Sequence, residues 1–284
     1  MGLAIGLTSV FPNFFMGISL PSLLIIPFCI GVVASWVWKP LRLETGAVVL
    51  HSFFCTCLGL YIAAIFLHEG VICLVIVSPI LYAGVLIGAL FGRIWFRPNR
   101  DRFNICVVPL LVIMVATELA MRAPETSVVT DEIRVVAPPA TVWPHVLAFK
   151  TIPEPPAYWL FRIGLPYPTE TTNDGNFVGA DRACRFSGGA VFKEKVTEIE
   201  PGRKLTFAIV EMPADPELLG HLDARRGQFE LRDNGDGTTT LIGRTWYSLH
   251  VGPAWYFDWW TQNIFSAVHL RVMRNIKQLA ESGR

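Results

Sequence analysis

The hydrophobic and polar positions of this chain follow two different rules on either side of residue 124. Before it, long apolar runs alternate with short connections that hold nearly all of the charge. After it, apolar residues recur at periods of two or of three to four, with charged residues between them. Four runs stand out in the first part: Ile18–Trp38, Thr45–Leu67, Val71–Gly92 and Phe103–Met121. Each holds about 20 residues, enough for a helix to cross a hydrocarbon core about 30 Å thick. A helix on the surface of a soluble core would show a polar face at helical period, and these runs show none. The pattern therefore predicts an N-terminal all-α transmembrane bundle of about four spans, residues 1–124. Gly2–Phe15, broken by Pro12 and Asn13, is too short to span and reads as an interfacial or re-entrant lead-in. It lacks the positive n-region of a cleaved signal peptide and is expected to be retained.

In residues 125–284 the period changes. Val128–Val135 reads as a strand, and Pro138-Pro139 then opens a helix with Val142, Trp143, Val146 and Leu147 on one side. Proline suits a helix start because its missing N–H has no partner there. A short helix is expected over Tyr158–Ile163, followed by a loop at Asn173-Asp-Gly. Arg182–Ser187 and Ala190–Glu198 flank Gly188-Gly189, a linker that permits the positive φ of a tight hairpin. Leu205, Phe207 and Ile209 alternate with polar or small residues, and Phe229 and Leu231 repeat the pattern, as half-buried strands do. A last strand is expected over Thr239–His250. Gly252-Pro253 then leads into a long helix to about Glu281, with an apolar stripe at Trp260, Ile264, Val268, Val272, Ile276 and Leu279. A curved antiparallel sheet around one long C-terminal helix is a two-layer α+β domain, and its concave side can enclose a lined cavity.

Charge sharpens the first half. No Lys, Arg, Asp or Glu occurs from Met1 to Trp38, and the mean hydropathy of +0.44 averages two unlike halves. Lys39 and Arg42 lie in the first connection and Arg93, Arg97, Arg100 and Arg102 in the third, whereas His68-Glu69-Gly70 has neither Lys nor Arg. The bias of basic residues toward the cytoplasm predicts a multi-pass protein of the cytoplasmic (inner) membrane. Trp36, Trp38 and Trp95 are its interfacial anchors, and the soluble domain lies on the extracytoplasmic side. The formal net charge of +1 and the lack of a basic stripe give no case for nucleic acid. Cys29, Cys55, Cys57, Cys73 and Cys106 sit in apolar runs, and Cys184 stands alone in the second half. His51 and Glu118 lie close enough to a membrane interface to be wetted there.

Ile133–Trp143 (IRVVAPPATVW), Glu198–Phe207 (EIEPGRKLTF), Gly227–Leu231 and Asp236–Leu241, with the aromatic-rich closing helix, resemble the START-like superfamily. This is the SRPBCC, Bet v 1-type helix-grip group, in its polyketide cyclase/dehydrase and lipid-transport branch. The resemblance covers roughly Ser127–Ala280 and leaves the spans unrecognised. It implies a cavity between sheet and closing helix that holds an apolar ligand.

The chemistry-bearing residues are sparse. The histidines of the second half, His145, His221, His250 and His269, show no metal-ligand spacing, and no cofactor or metal is expected. No nucleophile–base pair is visible in the sequence. His269, one turn after Phe265, either points into the cavity or bonds a neighbouring strand. Arg182 and Arg185 face opposite sides of one strand, and whichever points inward can meet a ligand carboxylate, Glu194 or Glu230. Arg244 alternates with Ile242 and Trp246. Met212–Arg226 is longer than a hairpin needs and reads as a lid or a surface excursion. The cavity candidates are Trp143, Trp159, Arg182, Phe207, Phe229, Tyr247, Trp260, Ile264 and His269, with Trp259 adding to the aromatic content. The leading expectation is membrane-tethered binding or transfer of a hydrophobic small molecule or lipid. A cyclase- or dehydratase-type enzyme using His269 or Glu230 in the same cavity is one alternative. A ligand-sensing module coupled to the spans is the other. Oligomeric state is not legible.

Overall fold

The computed structural model describes residues 20–67, 70–96, 126–215, 217 and 222–282. These fall into two compact units: residues 20–96 with 250–257, and residues 126–249 with 258–282.

The first unit contains α1 (Leu20–Trp38), α2 (Thr45–Ile62, continued by a π turn over Ala63–Leu67) and α3 (Val71–Trp95). Three helices here are long and apolar enough to cross a membrane, with mean hydropathies of 1.7, 2.0 and 2.6. The expected fourth span, the lead-in, the His68-Glu69 connection and Glu118 lie outside the described residues. Large apolar side chains stay uncovered on all three helices, among them Ile26, Phe54, Phe66 and Ile87. In water such surface would cost about 25 cal/mol per Å²; in lipid it costs nothing. Contact between α1 and α3 depends on small residues. A Cβ on Gly31 would stand 2.0 Å from the Val85 carbonyl oxygen, and one on Gly88 2.1 Å from that of Phe28. Gly84, Gly88 and Gly92 recur every fourth residue along α3 and all face α1. This is how helices approach closely where lipid supplies no hydrophobic drive between them.

The second unit is built on a seven-stranded antiparallel sheet. Its strands are β1 (Ser127–Val135), β2 (Pro168–Asn173), β3 (Asp181–Phe186), β4 (Val191–Glu200), β5 (Lys204–Glu211), β6 (Leu222–Asp233) and β7 (Thr239–Leu249), in the order β1-β7-β6-β5-β4-β3-β2. Bulges in β2, β4 and β6 bend the ladder. Helices α4 (Pro139–Leu147) and α5 (Trp159–Arg162) separate β1 from β2, and α6 (Ala254–Ser282) closes the fold. The expected helix-grip architecture is present. β2 stands where no strand is expected, and residues 222–226 of the expected excursion Met212–Arg226 are already strand.

The inner face of β7 is Thr239, Leu241, Gly243, Thr245 and Tyr247, all buried. A Cβ on Gly243 would sit 3.0 Å from the Met273 sulfur and 3.7 Å from the His269 ring, so the glycine lets α6 lie close to the sheet. The buried face of α6 is Thr261, His269, Val272, Met273, Asn275, Ile276 and Ala280. The expected stripe is therefore displaced around the helix: Val272 and Ile276 belong to it, whereas Leu279 is 37% exposed. The polar partners of His269 turn that residue inward, a preference that apolar periodicity does not contain.

Candidate functional site

The interior between sheet and α6 is mostly apolar: Val135, Val142, Val146, Val196, Leu205, Leu231, Leu241, Met273 and Ile276 form one cluster with Phe207 and Phe229. Polar groups interrupt it at two places.

The first lies where β2, β3 and β4 meet. Arg182 pairs in register with Glu194, and period-two alternation turns both side chains inward, where they form an ion pair. Both are almost wholly removed from water, with side chains 2% and 6% exposed. The guanidinium carbon also stands 4.3 Å from the centre of the Phe207 ring. Cys184 is the next inward position on β3, and the Thr171 hydroxyl donates to its sulfur at 3.5 Å. Asn173 stands opposite Arg182 on β2. Both polar atoms of its amide, and Arg182 Nε, are buried without a partner among the described residues. Each such group costs about 1–3 kcal/mol if nothing meets it. Burial pushes the Glu194 carboxyl up, against the pull of Arg182. The Cys184 thiol is pushed up to about 12, first by burial and then by the Glu194 charge, while Arg182 and Thr171 pull the other way.

The second place joins β1, β7 and α6. Asp131 Oδ2 lies 2.8 Å from His269 Nδ1, and His269 Nε2 lies 2.7 Å from the Thr245 hydroxyl. The Ser266 hydroxyl donates to the same carboxylate at 2.9 Å. Burial works to raise the Asp131 carboxyl, but the bonds from His269 and Ser266 outweigh it and hold the group below its ordinary value. In a hydroxyl, an imidazole and a carboxylate in line, the imidazole can take the hydroxyl's proton while the carboxylate orients it, and the sequence separations conceal the set. Nearby, the Tyr247 hydroxyl donates to Asp258 at 2.6 Å; burial, then that carboxylate, raises its pKa.

The sequence candidates thus separate into groups. Arg182, Phe207 and Phe229 share the sheet's inner face, with the two rings 6.3 Å apart. Tyr247 and His269 mark the second polar place. Trp143 packs against the core from α4. Trp159 is 46% exposed and meets Trp260 edge-on at 6.3 Å, and Ile264 is half-buried. Arg185 and Arg244 turn outward to Glu170 and Glu230. The outer Trp246 is capped by the Arg226 guanidinium at 3.7 Å. Thr171, Asn173, Asp131 and Thr245 were not foreseen. A cleft of about 350 Å³ opens between residues 152–161 and the flank of α6, lined by Tyr158, Phe161, Leu270, Arg271 and Asn275 among others. Its size falls within the usual span of ligand pockets, and Asn275 brings to it another unpartnered buried nitrogen, Nδ2.

No curated protein matches the sequence. A structure from Nitrosospira multiformis is 18% identical, over 56% of this chain and 100% of its own, with a TM-score of 0.39. Norcoclaurine synthase of Thalictrum flavum, solved with dopamine and hydroxybenzaldehyde, is 15% identical over 56% of this chain and 88% of its own, also at 0.39. A protein of Mesorhizobium loti is 18% identical over 56% and 99%, at 0.36. The family described as polyketide cyclase/dehydrase and lipid transport matches residues 126–281, more than half of the sequence, and the chain belongs to that family.

Proposed function

We propose that this protein binds or transfers a hydrophobic small molecule or lipid within its helix-grip domain, and that the apolar helices tether the domain to a membrane. The carrying observation is the set of unpartnered polar atoms at Asn173 and Arg182 within an aromatic and aliphatic interior. An amphiphile whose polar head meets these atoms, with its chain against Phe207, Phe229 and their neighbours, removes the cost of leaving them bare. Tethering supports the same reading, because covalent linkage to a bilayer raises the effective concentration of a membrane-derived ligand. In this arrangement the domain lies on the extracytoplasmic side, with the basic connections inside. The test is titration of the full chain in detergent with fluorescent fatty-acid and polyprenyl probes, with Arg182→Met/Glu194→Leu as the control for partition into micelles. Saturable binding by the parent and none by the control is expected; identical uptake by both overturns the reading.

One observation favours a second reading. The Asp131–His269–Thr245 line could serve a cyclase- or dehydratase-type step, with His269, oriented by Asp131, taking a proton and returning it. Under that reading His269→Gln abolishes turnover of an added substrate while leaving probe binding intact.

A further inference from the structure

The first unit contains three Lys or Arg residues among its described positions, Lys39, Arg42 and Arg93, and all three line one cleft of about 820 Å³ at the end of the helices. Trp38, Val48 and Phe96 supply part of its remaining wall. Arg93 donates to the Thr45 hydroxyl at 3.0 Å. The side chains of Lys39 and Arg42 make no hydrogen bond or ion pair among the described residues. Glu44, the single carboxylate among the described residues of that unit, forms no ion pair with any of the three. Arg42 is held in the left-handed region at φ 47°, which ends the turn after α1 and carries the chain past the cleft mouth into α2. The result is a concavity that is apolar and aromatic toward the helices and cationic at its rim.

We infer that this cleft binds the phosphate headgroup of an anionic phospholipid. The inference rests on the membrane embedding proposed above but concerns a different unit and a different ligand from the helix-grip site. A phosphodiester matches the forked donors of two arginines, and the acyl chains continue along the uncovered apolar faces of the helices. Basic pockets between membrane helices recognise anionic headgroups in this way, each cation near the surface contributing roughly a fivefold gain.

Native mass spectrometry of the full chain in detergent, with phosphatidylglycerol or phosphatidylcholine added, tests it. Expected is selective retention of phosphatidylglycerol. It should fall roughly 25-fold in Lys39→Gln/Arg42→Gln and roughly a hundredfold when Arg93→Gln is added, at low salt. The double variant removes no hydrogen bond within the described residues, so a folding defect in the triple variant leaves the test intact. Equal retention of the two lipids, or no loss in the double variant, overturns the inference. So does displacement of the lipid by inorganic phosphate at cellular concentration, which would identify a free anion as the ligand. Carbonate washing of membranes reads embedding separately: protein released by the wash defeats the embedding reading, whereas retained protein without lipid selectivity defeats this inference alone.

Discussion

Arg182 holds its guanidinium between a carboxylate and an aromatic face where water is excluded. Removing one member of such a pair strands the other, at a cost of about 3–5 kcal/mol, whereas replacing both with apolar residues of similar volume is often neutral. Arg182→Ala is therefore expected to lower the urea midpoint sharply, and Arg182→Met/Glu194→Leu to restore much of it while abolishing probe binding. A double variant as unstable as the single one contradicts this. Asp131 gives a pH signature. Its folded carboxyl titrates below its unfolded value, so its stabilisation is fully present above an unfolded pKa of about 3.9 and is lost as pH falls through the folded value. Asp131→Asn should be less stable at neutral pH and lose less on acidification; parallel acid profiles for the two proteins would refute the assignment. The inward turn of Arg182 and its pairing with Glu194 were among the options that strand alternation leaves open. The choice between Glu194 and Glu230 needed the β3–β4 register, which alternation does not set. In the Asp131–His269–Thr245 line, Asp131 stands more than a hundred positions before the other two, which no local pattern connects.

Six of the seven strands announce themselves through alternation or their turns. β2 does not, because Pro168–Asn173 reads Pro-Thr-Glu-Thr-Thr-Asn: it is an edge strand opening on proline, and its inward positions, Thr171 and Asn173, are polar. The strand that carries the site's unpartnered amide is thus the one hydrophobic patterning overlooks. Two glycines act at this scale. A Cβ on Gly227 would lie 2.4 Å from the Phe207 ring, so the ring covers β6 at that point. Gly227→Ala should displace it and cost about 1–3 kcal/mol as overpacking does, seen as a lowered thermal midpoint; an unchanged midpoint would show that the ring has room to move. On α3, Gly88→Leu drives a side chain into the Phe28 carbonyl and should separate α1 from α3. A lowered thermal midpoint of the full chain in detergent reads this, and an unchanged midpoint would contradict it.

For the whole molecule, the long apolar runs made three helices apolar enough to cross a membrane legible, and motif likeness made the helix-grip fold legible. A ligand's identity was not, because the fold hosts many chemistries and function is decided by the site. The chain joins an apolar helical unit, suited to a bilayer, to a domain whose interior presents unmet hydrogen-bonding atoms beside aromatic rings. The proposed function requires a resident amphiphile that meets those atoms. Mass spectrometry of the molecules released from the purified full chain tests it most directly. One recurring amphiphile near one per chain is expected, absent from Asn173→Leu/Arg182→Met/Glu194→Leu. An identical set of molecules released from both proteins, or none from either, would contradict it.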